Sequence, residues 1–411
     1  MVDAQATFRQ RMSAATGAAL AEEAERLFCN ACGSSGLVAF YEVVDVPTQT
    51  CLLLDDRSEA ASYPLGDVLL ALCERCGFIQ NVRYDPDLID YSMPTEESQA
   101  FSPRFAKFAG WLADEMVERY RLEGRTVLEV GCGKGDFLTL LGSKGIGHGL
   151  GIDPGFLPER VKVAAGEVEF RREWYGPETL SMTADLVITR HFMEHMPNVG
   201  EFFSWLRQSV SATPGASLFT EVPDVGRILR EGAFWDVFYE HCSYFTLGSL
   251  ARALRTSGFK VNWLQLGFED QYLLAGATVG GGQESVHHGE ESAPQIAMMV
   301  ESFASNAADS LSRWRRRIDA VTDQGGRIAL WGGASKTVSF ISALGLTDVT
   351  VVDINPYKQG KWLPGIAIEV QEPAVLLKSR PDLVVPMNPI YTDEIKTDLA
   401  TMGLEPMVVP V

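Results

Sequence analysis

No run of 18 uncharged apolar residues occurs in the 411-residue sequence, so no membrane-spanning helix is expected. The first 25 residues lack the unbroken apolar stretch of a secretion signal and read as a polar helix, so a cytoplasmic location is expected. Positive charge is scarce. Thirty-five lysines and arginines face 54 acids, and the net charge of −19 repels a nucleic-acid backbone. The one dense basic run, Arg313-Trp314-Arg315-Arg316-Arg317, lies in a helix-like segment and reads as a solvated helix face. Seven cysteines are an odd number for a disulfide framework, and four of them form two CxxC pairs, a spacing that suggests metal where no secretion signal is seen.

What is present is the composition of a water-soluble globular protein, 46% hydrophobic and 22% charged, too long for one core. Three blocks separate: 1–90, a helical N-terminus and the cysteine pairs; 91–290, a strand–turn–helix series; and 291–411, a second and smaller one. Residues 101–120 read as an amphipathic helix, with Phe101, Phe105, Phe108, Leu112, Met116 and Tyr120 near helical spacing. Strand-like runs at 126–130, 149–153, 185–190 and 216–221 alternate with helical ones, which argues for an α/β fold with a parallel sheet covered on both faces. Residues 276–293 are glycine-rich and aperiodic and read as a surface linker, with His287 and His288 as solvated loop residues. A long helix is expected over 294–322. The turn Gly332-Gly333-Ala334-Ser335-Lys336 matches neither a dinucleotide nor a triphosphate loop, so no second nucleotide cofactor is implied.

Cys29 and Cys32, and Cys73 and Cys76, are each followed by glycine, as in a knuckle whose two thiolates face one metal. Four thiolates satisfy tetrahedral Zn²⁺ and leave no open position, so the expected metal is structural. Cys51, Cys132 and Cys242 are left free.

The turn Glu129-Val130-Gly131-Cys132-Gly133-Lys134-Gly135 follows a strand and opens a helix. A dinucleotide needs a third glycine where Asp136 stands, and that carboxylate opposes a pyrophosphate. S-adenosylmethionine carries an ammonium and a sulfonium and no phosphate, so Glu129 at the strand end suits it. Gly131, Gly133 and Gly135 allow close backbone approach. Asp153 can accept the ribose hydroxyls, with Pro154 beside it. Glu173 and Trp174 are candidates near adenine, and Arg190, at the end of a later strand, completes the cofactor set.

The glycine turn, the segment 188–198 (ITRHFMEHMPN), the run 238–246 (FYEHCSYFT) and the C-terminal 353–365 (DINPYKQGKWLPG) together resemble the sugar C-methyltransferases of deoxysugar biosynthesis. The resemblance spans about residues 26–411. It implies a class I methyltransferase core between an N-terminal zinc domain and a C-terminal Rossmann-like domain, with a nucleotide-linked keto-sugar between core and C-terminal domain. It further implies His241 as general base with Glu240 beside it, and His195 lining the site; the mechanism expected from these residues has His195, joined by His191, stabilising an enolate oxygen. Phe238 stands where those enzymes often have tyrosine, which leaves Tyr239 as a substitute phenol, and His191 stands where asparagine is common. Alternatives stay open: methyl transfer to oxygen or nitrogen of a small metabolite, a nicotinamide-dependent dehydrogenase or epimerase, a zinc-ribbon interaction protein, and RNA methylation, which conflicts with the charge. A monomer without nucleic-acid or membrane partners is the expected state.

Overall fold

The computed structural model describes residues 17–161, 167–180, 182–280 and 286–411. The first 16 residues of the expected N-terminal helix, and 281–285 of the expected linker, lie outside the described residues. Helix α1 (Ala18–Glu25) precedes an antiparallel sheet of β1 (Val38–Pro47), β2 (Leu65–Leu72) and β3 (Ile79–Asn81). Helix α2 (Arg57–Ala61) is capped by the Asp56 carboxylate, which accepts from the Ser58 and Glu59 amides. The free edge of β3 is taken by residues 243–244 of the next block, which ties the cysteine-bearing region to the middle of the molecule.

Helix α3 (Pro103–Tyr120) starts at the Ser102 cap with proline in its first turn and buries Leu112, Ala113 and Met116. The central sheet holds β4 (Thr126–Val130), β5 (His148–Ile152), β6 (Val168–Arg171), β7 (Leu186–Arg190), β8 (Ser217–Pro223), β10 (Phe259–Gly267) and β11 (Tyr272–Val279). The short β9 (Ser243–Tyr244) is the strand lent to β3. The order is β10-β11-β8-β7-β4-β5-β6, parallel except for β11, which runs antiparallel to both neighbours. Helices α4 (Asp136–Ser143), α5 (Val199–Ser211), α6 (Val225–Glu231) and α7 (Leu247–Thr256) make the crossovers. Strands β4 and β7 are buried almost end to end, as their unbroken apolar runs require when helices cover both faces. The chain winds outward from β4 through β5 and β6, then returns to place β7 on the other side of β4. The carboxyl ends of β4 and β7 therefore flank the crevice where such sheets bind ligands.

The expected linker is shorter than its composition suggests. Residues 276–279 are the last part of β11, held by pairing with both β8 and β10 despite their glycine and small side chains. His287 is half-buried, and its ring nitrogen lies 3.0 Å from the Val261 carbonyl.

Helix α8 (Ala293–Thr322) opens with a reciprocal Ser292–Gln295 cap and buries a seam from Ile296 to Ile318. In its basic run the four arginines are exposed and Trp314 is buried, as on a solvated helix face. Beyond it, β12 (Ile328–Trp331), β13 (Thr350–Val352), β14 (Val370–Gln371), β15 (Leu383–Pro386) and β16 (Met407–Val408) form a wholly parallel sheet ordered β14-β13-β12-β15-β16. Helices α9 (Ser335–Leu344), α10 (Leu376–Ser379) and α11 (Thr392–Thr401) connect it. Phe303 of α8 packs against Phe40 and Tyr41, so the first and last blocks share a core.

Candidate functional site

The four paired cysteines converge. Cys29 Sγ lies 3.6 Å from Cys76 Sγ, Cys32 Sγ lies 3.7 Å from Cys73 Sγ, and all four sulfurs fall within 4.8 Å of one another. Bonds of about 2.3 Å from a tetrahedral Zn²⁺ place its sulfurs about 3.8 Å apart. The two loops have the same hydrogen bonding: Gly33 N–H donates to Cys29 O and Gly77 N–H to Cys73 O, each at 2.8 Å. The thiol set fits a closed metal centre.

At the end of β4 the backbone of Gly131 and Gly133 is left-handed, with φ of 71° and 53°. A Cβ on Gly133 would stand 2.7 Å from Glu97 Oε1. Asp153, at the end of β5, accepts from Gly133 N–H at 3.0 Å and Gly155 N–H at 2.7 Å, which locks the turn to the neighbouring strand. Beneath it Glu129 Oε2 and Arg190 Nη2 are both buried without a hydrogen-bond partner among the described residues. Burial pushes the Glu129 carboxyl up to about 8, against the pull of Arg190. Those two unpartnered atoms, on a carboxylate and on a guanidinium that holds Glu221 through its Nε at 2.6 Å, fit the ammonium and carboxylate of an amino-acid tail.

A polar strap, residues 91–102, crosses this cradle. Lys134 meets Glu97 at 3.2 Å, Ser98 Oγ donates to Asp136 at 2.7 Å, and Arg172 donates to Ser92 O and Pro154 O, both at 3.0 Å. Glu96 is fully buried, ion-paired with Arg160 and bonded by Asn355 Nδ2 at 3.0 Å. The Arg160 guanidinium lies 3.6 Å over the Tyr357 ring. The strap therefore joins the central block to the C-terminal one.

Past the end of β7 lies a cluster of histidines and acids. His191 has a left-handed backbone (φ 48°), which turns its ring so that Nε2 meets Glu221 at 3.0 Å, with Nδ1 3.7 Å from Glu194. Burial opposes its protonation, but Glu221 and Glu194 outweigh that and raise it to about 9. Glu221 is held down to about 2: burial works against this, and Arg190 and His191 prevail. The His195 and His241 rings meet edge to face at 4.9 Å. His195 Nδ1 lies 3.0 Å from the Glu240 carbonyl, an acceptor only, so that nitrogen carries the proton. Burial first, then the neighbouring His195, depress His241 to about 3 and keep it neutral.

The expected site residues are distributed as follows. His191, His195 and His241 come together. The Glu240 carboxylate, beside them in sequence, turns to Thr50 and Ser335 and thereby joins all three blocks. The Tyr239 phenol faces away, accepting from the Asp85 amide at 2.8 Å with its ring stacked on Tyr84. Phe238 packs on the His241 ring at 4.9 Å. Gly135 caps α4 against Phe170. Trp174 is 60% exposed, Glu173 is exposed, and the Trp174 ring edge meets Tyr91 at 6.2 Å. Residues the sequence reading passed over are Thr50, Tyr91, Glu194, Glu221 and Ser335. Tyr91 Oη lies 3.3 Å from His195 Nδ1. Only Glu194 carried a signal, as the acid between His191 and His195 in one short segment.

A methyltransferase-domain family model matches residues 102–263, and one described as a C-methyltransferase C-terminal domain matches 284–406. The chain is an S-adenosylmethionine-dependent methyltransferase. This methyltransferase is 26% identical over 385 residues to the C-methyltransferase NovU of Streptomyces niveus, covering 84% of this chain and 85% of that protein. Solved structures similar to part of the methyltransferase include the 1,6-didemethyltoxoflavin-N1-methyltransferase of Burkholderia thailandensis. That protein is 18% identical, with a TM-score of 0.34 over 43% of this chain and 81% of that one. The magnesium protoporphyrin IX methyltransferase of Synechocystis is 15% identical, with a TM-score of 0.32 over 43% of this chain and 84% of that one. The resemblance drawn from the motifs and the C-terminal family match agree on C-methylation.

Proposed function

We propose that the methyltransferase transfers a methyl group to a carbon next to the ketone of a nucleotide-linked keto-sugar. The observation that carries this reading is the pairing of His195 with His241 beside the cofactor cradle. Oxygen and nitrogen nucleophiles need less basic assistance than a C–H bond, which must first lose its proton.

S-adenosylmethionine supplies a methyl group on a positively charged sulfur. Glu129 would pair with its ammonium, Arg190 with its carboxylate and Asp153 with its ribose, while Trp174 would offer a face to adenine. Lys134 and the strap residues beside it exclude water from the cradle. His241, neutral through the working range, accepts the proton at the carbon next to the ketone. His195 would face the resulting enolate oxygen, and His191, its ring nitrogens held by Glu221 and Glu194, would support it through positive charge alone. Glu240, fixed by Thr50 and Ser335, is available to a sugar hydroxyl. The four cysteines hold zinc and take no part in the chemistry.

The test is incubation with labelled S-adenosylmethionine and a panel of nucleotide-linked 4-keto-6-deoxyhexoses, followed by mass spectrometry. One member gains a single methyl group, and His241→Ala loses at least 100-fold in turnover while still binding the cofactor. Full turnover by that variant contradicts the assignment.

A further inference from the structure

Glu194 has no assigned role, yet its carboxylate is grouped in space with both His195 and His241. Its side chain is 4% exposed, and Oε2 has no hydrogen-bond partner among the described residues. One ligand atom from each of Glu194, His195 and His241 lies within 4.8 Å of the other two. The other acid at hand, Glu240, is taken up by Thr50 and Ser335. A buried carboxylate oxygen facing two imidazoles with nothing to accept is a cost the fold bears in the resting state. That cost disappears once a proton arrives on a ring next to it.

We propose that Glu194 is the carboxylate partner of His241: it positions the neutral ring for proton abstraction and balances the imidazolium formed when the ring takes the proton. This rests on the reading of His241 as base. In the step, the C–H bond next to the ketone breaks and its electron pair moves into the enolate, whose negative charge falls on the former ketone oxygen. The proton goes to the free ring nitrogen of His241. The enolate carbon then bonds to the methyl group as the carbon–sulfur bond breaks, and the proton leaves His241 for solvent. Without Glu194 the imidazolium would form against burial and the neighbouring His195, with Asp236 the next acid acting on it. Asp236 is already bound to Arg227 and Lys336. The His191 imidazole, 3.7 Å from Glu194 Oε1, holds that oxygen and leaves Oε2 for the ring. Glu194 is thus a positioning residue acting through His241.

The experiment compares zinc-loaded wild-type enzyme with Glu194→Gln, Glu194→Asp and His241→Ala, using the keto-sugar that the panel identifies. Two rates are read: methyl transfer, and uptake of solvent deuterium at the carbon next to the ketone with S-adenosylhomocysteine in the cofactor site. Glu194→Gln lowers kcat and deuterium uptake together by about 100-fold, with KM and cofactor affinity within about threefold. Glu194→Asp, which keeps the charge, recovers at least a tenth of the wild-type rate and serves as the informative variant should the glutamine form fold poorly. Wild-type deuterium uptake in Glu194→Gln, or no advantage of aspartate over glutamine, overturns the proposal. If His241→Ala itself keeps full activity, the reading beneath the proposal fails instead.

Discussion

His191 adopts a backbone conformation rare outside glycine, and the ion pairs it makes with Glu221 and Glu194 offset that strain. Its folded-state pKa of about 9 lies above the ordinary histidine value. The pairing therefore contributes stability in full below about pH 6.5, and loses it as pH rises through about 9. His191→Asn should lower stability by about 1–3 kcal/mol at pH 6, after discounting for partial solvent exposure. Melting curves of the two proteins should converge by pH 10. A gap that does not change with pH would show that the imidazolium contributes nothing.

At the scale of elements, what could be read in advance was what is local. The paired CxxC-glycine loops, the turn from Glu129 to Asp136 and the apolar spacing of α3 each declare themselves within 20 residues, although Phe101, expected on that face, lies exposed ahead of the helix. The strap from 91 to 102 does not, because it has no periodicity and its partners Lys134, Arg160, Asn355 and Tyr391 are scattered through the chain. The pairing of β3 with β9 was equally hidden, since two residues are too few for a strand signature. That pairing gives the knuckles a consequence at a distance. Cys73 and Cys76 sit between β2 and β3, and β9 follows His241 by one residue. Stripping the metal with a chelator should unravel the knuckles, loosen β3 and β9, and abolish turnover while most helical circular dichroism remains. Metal analysis should find one zinc per chain beforehand. A metal-free protein with undiminished activity would separate the knuckles from the site.

For the whole molecule, the three blocks meet at one carboxylate, Glu240, which bonds Thr50 from the first and Ser335 from the last. The sequence reading located Glu240 and His241 but oriented them through neighbourhood in the chain. In three dimensions Glu240 belongs to the junction and Glu194 lies nearer the histidine. The order of the central sheet, and an acid and an arginine at its switch point that each keep an unpartnered atom among the described residues, suit a zwitterionic cofactor. The central proposal is a base beside that cofactor, suited to an acceptor that must surrender a proton from carbon. Its most direct test is nuclear magnetic resonance of the product made with ¹³C-methyl S-adenosylmethionine and a ¹³C-enriched keto-sugar. The account predicts a one-bond carbon–carbon coupling between the new methyl group and the carbon adjoining the ketone. A methyl signal at the shift of an O- or N-methyl group, without that coupling, would contradict it.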